Sequence, residues 1–296
     1  MYNFIYLLYS KVIRKIGSKT TLISDEKYIK AYYFCIFKRK IDLQNPSTFN
    51  EKLQWLKLYD RKPIYTEMVD KDKAKAFIAD KIGWEYVIPT LGVYKDFESI
   101  DFDKLPEKFV MKCTHDSGCV IVCKNKSSFD KEDAKKKLEK ALKRNFYLSG
   151  REWPYKNVPP RIIIEKYIED IELGQLVDYK LYTFNSVPRL MMIIKDREKH
   201  ETKAAYYDMN YQELDFSWGY PCIKESITKP KNFELMKKFS RILAENTSHL
   251  RVDFYEANGR LYVGELTFYD GSGFEKFYPE EWDKKLGDYI NLPKNS

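Results

Sequence analysis

Two hydrophobic periodicities alternate along the chain. Apolar residues recur at helical spacing over 24–40 and 49–59, the second behind the break Asn45-Pro46-Ser47, and predict a helix in each place. The stretch 70–82 has the same period, with Asp70 placed to cap it. A short strand is expected over 84–91, with Pro89 near its end. Residues 109–112 and 119–123 read as strands joined by the loop Thr114-His115-Asp116-Ser117-Gly118, followed by a highly charged helix over 130–144 and a buried-type strand over 161–168. A hairpin is predicted from 178–184 and 189–195 around Asn185-Ser186, then an amphipathic helix over 233–246. Finally, Arg251-Val252-Asp253-Phe254-Tyr255 and Leu261-Tyr262-Val263-Gly264-Glu265-Leu266-Thr267 alternate apolar and polar residues around Asn258-Gly259, a strong hairpin signal. No internal repeat is visible.

Asp253 and Glu265 interrupt the last two runs. A carboxylate inside a buried strand is costly unless something positive compensates it. Two that converge would suit a hard cation such as Mg²⁺, which takes one or two carboxylates together with substrate phosphates. Acids that simply point to solvent are the other reading of the same pattern.

The N-terminus carries a different signal. Phe4, Ile5, Leu7, Leu8, Val12, Ile13 and Ile16 fall near helical spacing, with Lys11, Arg14 and Lys15 trailing. A secretory signal would place its charges first and supply a small-residue cleavage site, and residues 1–16 do neither. They read either as an interfacial helix in peripheral contact with an anionic membrane or as a helix packed on the protein itself.

Composition narrows the field. The chain has 296 residues, 44% hydrophobic and 16% aromatic, enough for a substantial core and unlike a disordered chain. Its 52 basic and 44 acidic residues leave +8, a mixed surface that favours anionic partners without choosing among them. Cys35, Cys113, Cys119, Cys123 and Cys222 form no CxxC pair, and only three histidines are present, which argues against zinc and for a reducing, cytoplasmic setting. No run approaches the roughly 18 apolar residues of a membrane span.

Lys112 ends an apolar strand just before a hydroxyl- and glycine-bearing loop. It could hold a phosphate while loop amides cradle the oxygens, or it could snorkel from a strand end. Neither G-x-x-x-x-G-K-[ST] nor G-x-G-x-x-G occurs, so the common phosphate-loop and dinucleotide signatures have no support. Taken together, Lys71, Lys112, Glu165-Lys166, Asp178, Lys180, Arg251, Asp253 and Glu265 lie at or near the ends of predicted elements. Their order fits a nucleotide site: cations for phosphates, acids for metal and ribose, an apolar strand for the base.

Several segments then point to a family: Phe49-Asn50-Glu51-Lys52-Leu53-Gln54-Trp55-Leu56-Lys57-Leu58-Tyr59-Asp60, Val69-Asp70-Lys71, Phe109-Val110-Met111-Lys112-Cys113-Thr114-His115-Asp116-Ser117-Gly118, Ile164-Glu165-Lys166-Tyr167, Asp178-Tyr179-Lys180, Arg251-Val252-Asp253-Phe254-Tyr255 and Gly264-Glu265-Leu266-Thr267-Phe268-Tyr269. They resemble the ATP-grasp superfamily in its TupA-like, teichuronopeptide-biosynthesis branch. The resemblance implies an α+β fold in which two subdomains grip ATP behind a small helical N-terminal region. The expected divisions are 1–60, 61–105, 106–168 and 169–296. It further implies ATP and Mg²⁺ as cofactors. Lys71 and Lys112 would contact the phosphates under a mobile loop containing His115, Ser117 and Gly118. Glu165 would bind the adenine amino group, the backbone of Lys166 and Ile168 would complete that pocket, and Asp178 would hold the ribose. Lys180 would face the phosphates or an acyl phosphate, Arg251 would stabilise the transferring phosphoryl group, and Asp253 and Glu265 would ligate Mg²⁺. Thr267 stands where many members have Asn as a further metal ligand.

The implied activity is an ATP-dependent carboxylate–amine ligase working through an acyl phosphate. It would join an amino acid to a carboxyl-bearing glycan or peptide acceptor, such as a uronic-acid-containing cell-surface polysaccharide precursor. Arg197 is a candidate for a substrate carboxylate and His115 for a general base, with solvent exposure the alternative for both. Two other classes stay open. A glycosyltransferase would need a metal-binding Asp-x-Asp, and Asp101-Phe102-Asp103 falls in a predicted surface turn. A nucleic-acid or membrane-binding module would need basic clusters interleaved with exposed aromatics, whereas most aromatics here keep core-like periodicity, so no nucleic-acid partner is expected.

Overall fold

The computed structural model describes residues 2–171, 176–195 and 202–293. Helices α1 (Tyr2–Gly17) and α2 (Asp25–Phe37) pair at the N-terminus. The Ser24 side chain accepts from the Lys27 N–H and starts α2. Helix α3 (Phe49–Tyr59) opens with a reciprocal cap between Thr48 and Glu51. Its Phe49, Leu53 and Leu56 enter the main core, and the Asn50 N–H donates to the carboxylate of Asp283, 2.9 Å away. α3 is thereby tied to the C-terminal end of the chain as well as to α2.

Two predicted elements take different bounds in the structure. The predicted helix over 70–82 is split: α4 (Ile64–Val69) ends at Asp70, which takes extended backbone, and α5 runs from Lys73 to Ile82. Asp70 nevertheless caps the turn that leads into α5: its carboxylate accepts from the Asp72 N–H at 3.1 Å and its carbonyl from the Ala74 N–H at 2.8 Å. Its carboxylate pairs with Arg161 at 2.8 Å, and Lys71 falls in the break between the two helices. The predicted strand over 84–91 is also displaced. Gly83 leaves α5 at φ 108, Trp84–Tyr86 form a 3-10 turn, and the strand β1 begins only at Thr90, after Pro89, and runs to Tyr94.

Strands β1, β2 (Phe109–Cys113), β3 (Val120–Cys123) and β4 (Ile162–Lys166) form an antiparallel sheet in the order β1-β4-β2-β3. Alternation decides its faces. Phe109, Met111, Ile162 and Ile164 pack on Ala134, Leu138 and Ala141 of α6 (Lys131–Leu142). Lys112, Ile163 and Glu165 turn to the opposite face. A short helix, α7 (Tyr147–Gly150), lies between α6 and β4.

The larger antiparallel sheet takes β5 (Asp178–Phe184), β6 (Val187–Lys195), β7 (Lys203–Tyr207), β9 (His249–Ala257) and β10 (Arg260–Thr267) in the order β10-β9-β5-β6-β7. Both expected hairpins form. Asn185 and Ser186, and likewise Asn258 and Gly259, take positive φ, as tight hairpin turns require. Leu181, Ile193, Val252 and Phe254 face Phe233, Met236, Phe239 and Leu243 of α8 (Phe233–Leu243), each burial of this size contributing about 1.5–3 kcal/mol. A two-strand ribbon of β8 (Ser217–Trp218) and β11 (Phe277–Tyr278), together with α9 (Glu281–Asp288), closes the end where α3 docks. The remaining face of this sheet is turned toward the smaller one.

Candidate active site

Between the sheets lies a cleft of about 770 Å³. Lys112 and Val120 line it from the smaller sheet, with Lys180, Arg251, Asp253 and Glu265 opposite them.

On the smaller sheet, Lys112 and Glu165 share a face on neighbouring strands. Glu165 is buried, and its two oxygens lie 2.6 Å from Lys75 and 2.6 Å from Lys112. Burial alone would raise its pKa, but Lys112 and Lys75 outweigh that and bring it down to about 2. Lys75 also donates to the Ile88 carbonyl at 2.6 Å. Glu165, expected at an adenine amino group, is therefore a clamp on two lysines with both oxygens engaged.

On the larger sheet, Asp178 and Lys180 on β5 stand opposite Tyr255 and Asp253 on β9. Arg251 forks onto Asp253 two residues along, at 2.6 and 2.8 Å, and reaches Asp270 with its remaining arm. Lys180 pairs with Asp253 and, at 3.3 Å, with Asp178. Glu265 lies 3.1 Å from Lys71. Its burial, which would raise the pKa, is again overridden by Lys71, Arg251 and Lys180, leaving it at about 2.

Asp253 and Glu265 are direct partners in the ladder only because of a bulge at Gly264. Strict alternation would put Glu265 on the side of Leu261 and Val263, in the core. The extra residue resets the parity, so that Glu265 faces the cleft while Leu266 is buried. A Cβ at Gly264 would lie 2.5 Å from the Tyr255 ring, so a glycine also makes room for a side chain that lines the cleft.

The loop after β2 closes one end. The Lys71 N–H donates to the Thr114 carbonyl, and its ammonium donates to the Asp116 carbonyl at 2.7 Å. Ser117 and Gly118 line the cleft beyond, Gly118 at φ 94. His115 turns away. It is buried, and its Nε2 lies 3.1 Å from the Arg144 carbonyl, on the side of α6 and away from the cleft wall. Burial lowers its pKa.

The structure thus gathers Lys71, Lys112, Ser117, Gly118, Asp178, Lys180, Arg251, Asp253 and Glu265 in one cleft. Glu165 sits behind Lys112. Lys166 is exposed, with its N–H bonded to the Pro89 carbonyl, and Ile168 is half-buried; neither belongs to the cleft wall. Thr267 pairs with Arg251 in the ladder but also stays outside that wall. Arg197 lies outside the described residues.

Sequence reasoning missed Lys75, Asp270 and Glu275. Asp270 comes after Phe268 and Tyr269, beyond the end of β10, in the run Asp270-Gly271-Ser272-Gly273, where Gly271, Ser272 and Gly273 all have positive φ. The glycines on both sides of Ser272 were the available signal. This turn is braced from α3: Lys57, fully buried, donates to the carbonyls of Ser272 and Gly150 at 2.6 and 2.7 Å, and Glu152 accepts from the Ser272 hydroxyl. Glu275 lines the same end of the cleft with Tyr220, and burial, then the Asp270 charge, raises its pKa to about 7.

Among the described residues, the larger-sheet wall holds four carboxylates, Asp178, Asp253, Glu265 and Asp270, against Lys180 and Arg251, with Lys71 reaching Glu265 from the break between α4 and α5. The wall keeps an excess of negative charge even with Lys71 against Glu265, and an all-oxygen donor set suits Mg²⁺. No group of three or more His, Cys, Asp or Glu among the described residues is arranged to hold a metal by itself. A cation here would have the facing pair Asp253 and Glu265 and would take its other ligands from phosphate and water.

The family described as TupA-like ATP-grasp matches residues 51–291. No curated protein matches the chain. Among solved structures, it is similar to D-alanine–D-alanine ligase from Bacillus anthracis, with 21% identity, a TM-score of 0.40, and coverage of 75% of this chain and 60% of that one. It is also similar to an L-amino acid ligase from Bacillus licheniformis, with 14% identity, a TM-score of 0.43, and coverage of 76% and 49%. A third, D-alanine–D-alanine ligase from Helicobacter pylori, has 15% identity, a TM-score of 0.43, and coverage of 83% and 70%. This chain thus spans about 60% of the length of the first of these. With two α+β lobes around a lysine- and carboxylate-lined cleft and the family matched over most of its length, the chain belongs to the TupA-like ATP-grasp family.

Proposed function

We propose that the chain is an ATP-dependent carboxylate–amine ligase that attaches an amino acid to a carboxyl-bearing acceptor, such as a uronic-acid unit of a cell-surface polysaccharide precursor. The observation that carries the reading is the pair of unlike walls in one cleft: cations on the smaller sheet and an excess of carboxylates on the larger.

Lys112 and Lys71 bind the triphosphate, and Gly118 offers its backbone N–H over it, beside the Ser117 hydroxyl. Asp178 takes the ribose. Asp253 and Glu265 hold Mg²⁺, which when bound neutralises phosphate charge and orients the transferring group. A substrate carboxylate oxygen attacks the γ-phosphorus, the bond from that phosphorus to the β,γ-bridging oxygen breaks, and ADP leaves. Arg251, held rigid by Asp253 and Asp270, stabilises the charge on the transferring group, and Lys180 faces the acyl phosphate. A neutral amine then adds to the acyl carbon, the bond to the phosphate oxygen breaks, and phosphate departs as the nitrogen loses a proton. Asp270 and the partly ionised Glu275 line the Tyr220 end of the cleft, which suits an amine that arrives protonated. The setting is cytoplasmic, where ATP is available.

Incubating the protein with ATP, Mg²⁺, a uronic-acid glycoside and an amino acid should release ADP and yield an amide-linked product; hydroxylamine should divert the acyl phosphate to a hydroxamate. ADP release without any acceptor-dependent product, or UDP release from a sugar nucleotide, would overturn the reading.

A further inference from the structure

We propose that α1 is a membrane-docking helix that lays its exposed face on an anionic lipid surface. One side of α1 packs on α2: Ser10, Ile13 and Gly17 are buried, and Arg14 lies over the Tyr32 ring at 4.1 Å. The opposite side presents Phe4, Ile5, Leu8, Tyr9, Val12 and Ile16, between 44% and 64% exposed. At 3.6 residues per turn these six fall on one arc, with the exposed Lys11 just outside its Phe4 edge and the exposed Lys15 just inside it. A helix packed wholly on its own protein would not leave such an arc uncovered. The face that satisfies the fold and the face left over are different faces of the same helix.

Charge selects the occupant. Nine basic and two acidic residues fall in the first forty positions, so this end of the chain carries +7 of the formal +8. A second copy docked on the same stripe would bring two strongly basic ends together, which disfavours it. A bilayer with anionic headgroups accommodates both features, the apolar arc entering the acyl boundary while lysines meet headgroup phosphates. No helix among the described residues is long and apolar enough to cross a membrane, so the contact is with the surface.

The full chain is sedimented with vesicles of phosphatidylcholine containing about one third phosphatidylglycerol, and with phosphatidylcholine alone. Binding is expected only to the anionic vesicles and should fall with added salt. Leu8→Glu or Val12→Glu should abolish it, and each of Lys11→Gln and Lys15→Gln should weaken it about fivefold. All four side chains are exposed, so melting temperature and ATP turnover should stay at wild-type values. Three outcomes would overturn the proposal: no binding to anionic vesicles at low salt, undiminished binding by the Leu8→Glu variant, or a dimer in solution that Leu8→Glu dissolves.

Discussion

The two walls of the cleft use the same chemistry in opposite proportions. On the smaller sheet, one carboxylate, Glu165, serves two lysines, so the wall stays positive after its own pairing. On the larger sheet, Lys180 and Arg251, with Lys71 reaching Glu265, serve four carboxylates among the described residues, so that wall stays negative. Buried ion pairs are a poor source of net stability, because desolvation offsets much of the attraction. An unbalanced set is costlier still, and keeping one on each side of the same cleft makes sense when a ligand supplies the missing charges. A polyanion and a cation together do so, and a magnesium–triphosphate pair has that charge pattern.

The largest effect that could break this comparison belongs to the negative wall. Asp253→Asn and Glu265→Gln should each lower ATP turnover about 10²–10³-fold, the scale of a lost charge-stabilising contact. Their stabilities should differ. Asp253 is buried and compensates both Lys180 and Arg251, so its loss should cost about 3–5 kcal/mol, whereas Glu265 has a more exposed side chain and should cost less. Steady-state kinetics beside thermal melts reads both. Wild-type turnover in either variant would remove the metal assignment.

The positive wall should respond through affinity. Lys112→Met should weaken ATP binding by about ten- to a hundredfold, from a charge-assisted bond of about 1.5–3 kcal/mol. Lys75, although bonded to the same carboxylate, has its other contact on the Ile88 carbonyl and lies outside the main cleft. Lys75→Met should therefore lower the melting temperature more than it changes nucleotide affinity by calorimetry. Equal affinity losses would mean that both lysines reach the phosphates.

A smaller effect appears with acid. Glu165 is held near 2 against an ordinary 4.5, so its contribution is fully present above about pH 4.5 and is lost as pH falls through 2. The difference amounts to about 3 kcal/mol. Glu165→Gln should flatten the dependence of unfolding free energy on pH across that window, measured by denaturant titration at successive pH values. An unchanged slope would mean that the two lysines do not hold the carboxylate ionised.

Much of this was legible in the residues. The Asn-Gly turn and period-two runs placed β9 and β10, and the resemblance picked out the lysines and acids that share the cleft. What escaped detection depended on geometry beyond one element. Asp70 caps as its place before the helical period 70–82 suggests, but the regular helix begins only at Lys73, and the same carboxylate pairs with Arg161, distant in sequence. His115 sits in the right loop, yet alternation after β2 sends it under α6. The facing of Asp253 and Glu265 was anticipated, although simple alternation would have turned Glu265 inward; Gly264 carried the correction and could have been read as a bulge. Lys75 and Asp270 left weaker marks, since a lysine in a charged helix and an aspartate in a glycine-rich turn are both common on surfaces.

The smallest expected effect lies at Thr267, and it tests how far the negative wall extends. The residue shares the cleft-facing parity with Glu265 and stands opposite Arg251, the arrangement that makes it resemble a further metal ligand. Its side chain nevertheless stays off the wall of the cleft, while Arg251 is already occupied by Asp253 and Asp270. A hydroxyl in that position can contribute at most a neutral hydrogen bond of about 0.5–1.5 kcal/mol. Thr267→Val, which keeps the shape and removes the oxygen, should change turnover by less than about tenfold and leave the magnesium concentration at half-maximal rate unchanged. A loss on the scale of Glu265→Gln, with a raised magnesium requirement, would place Thr267 among the metal's ligands and move the edge of the negative wall one residue pair further along the sheet.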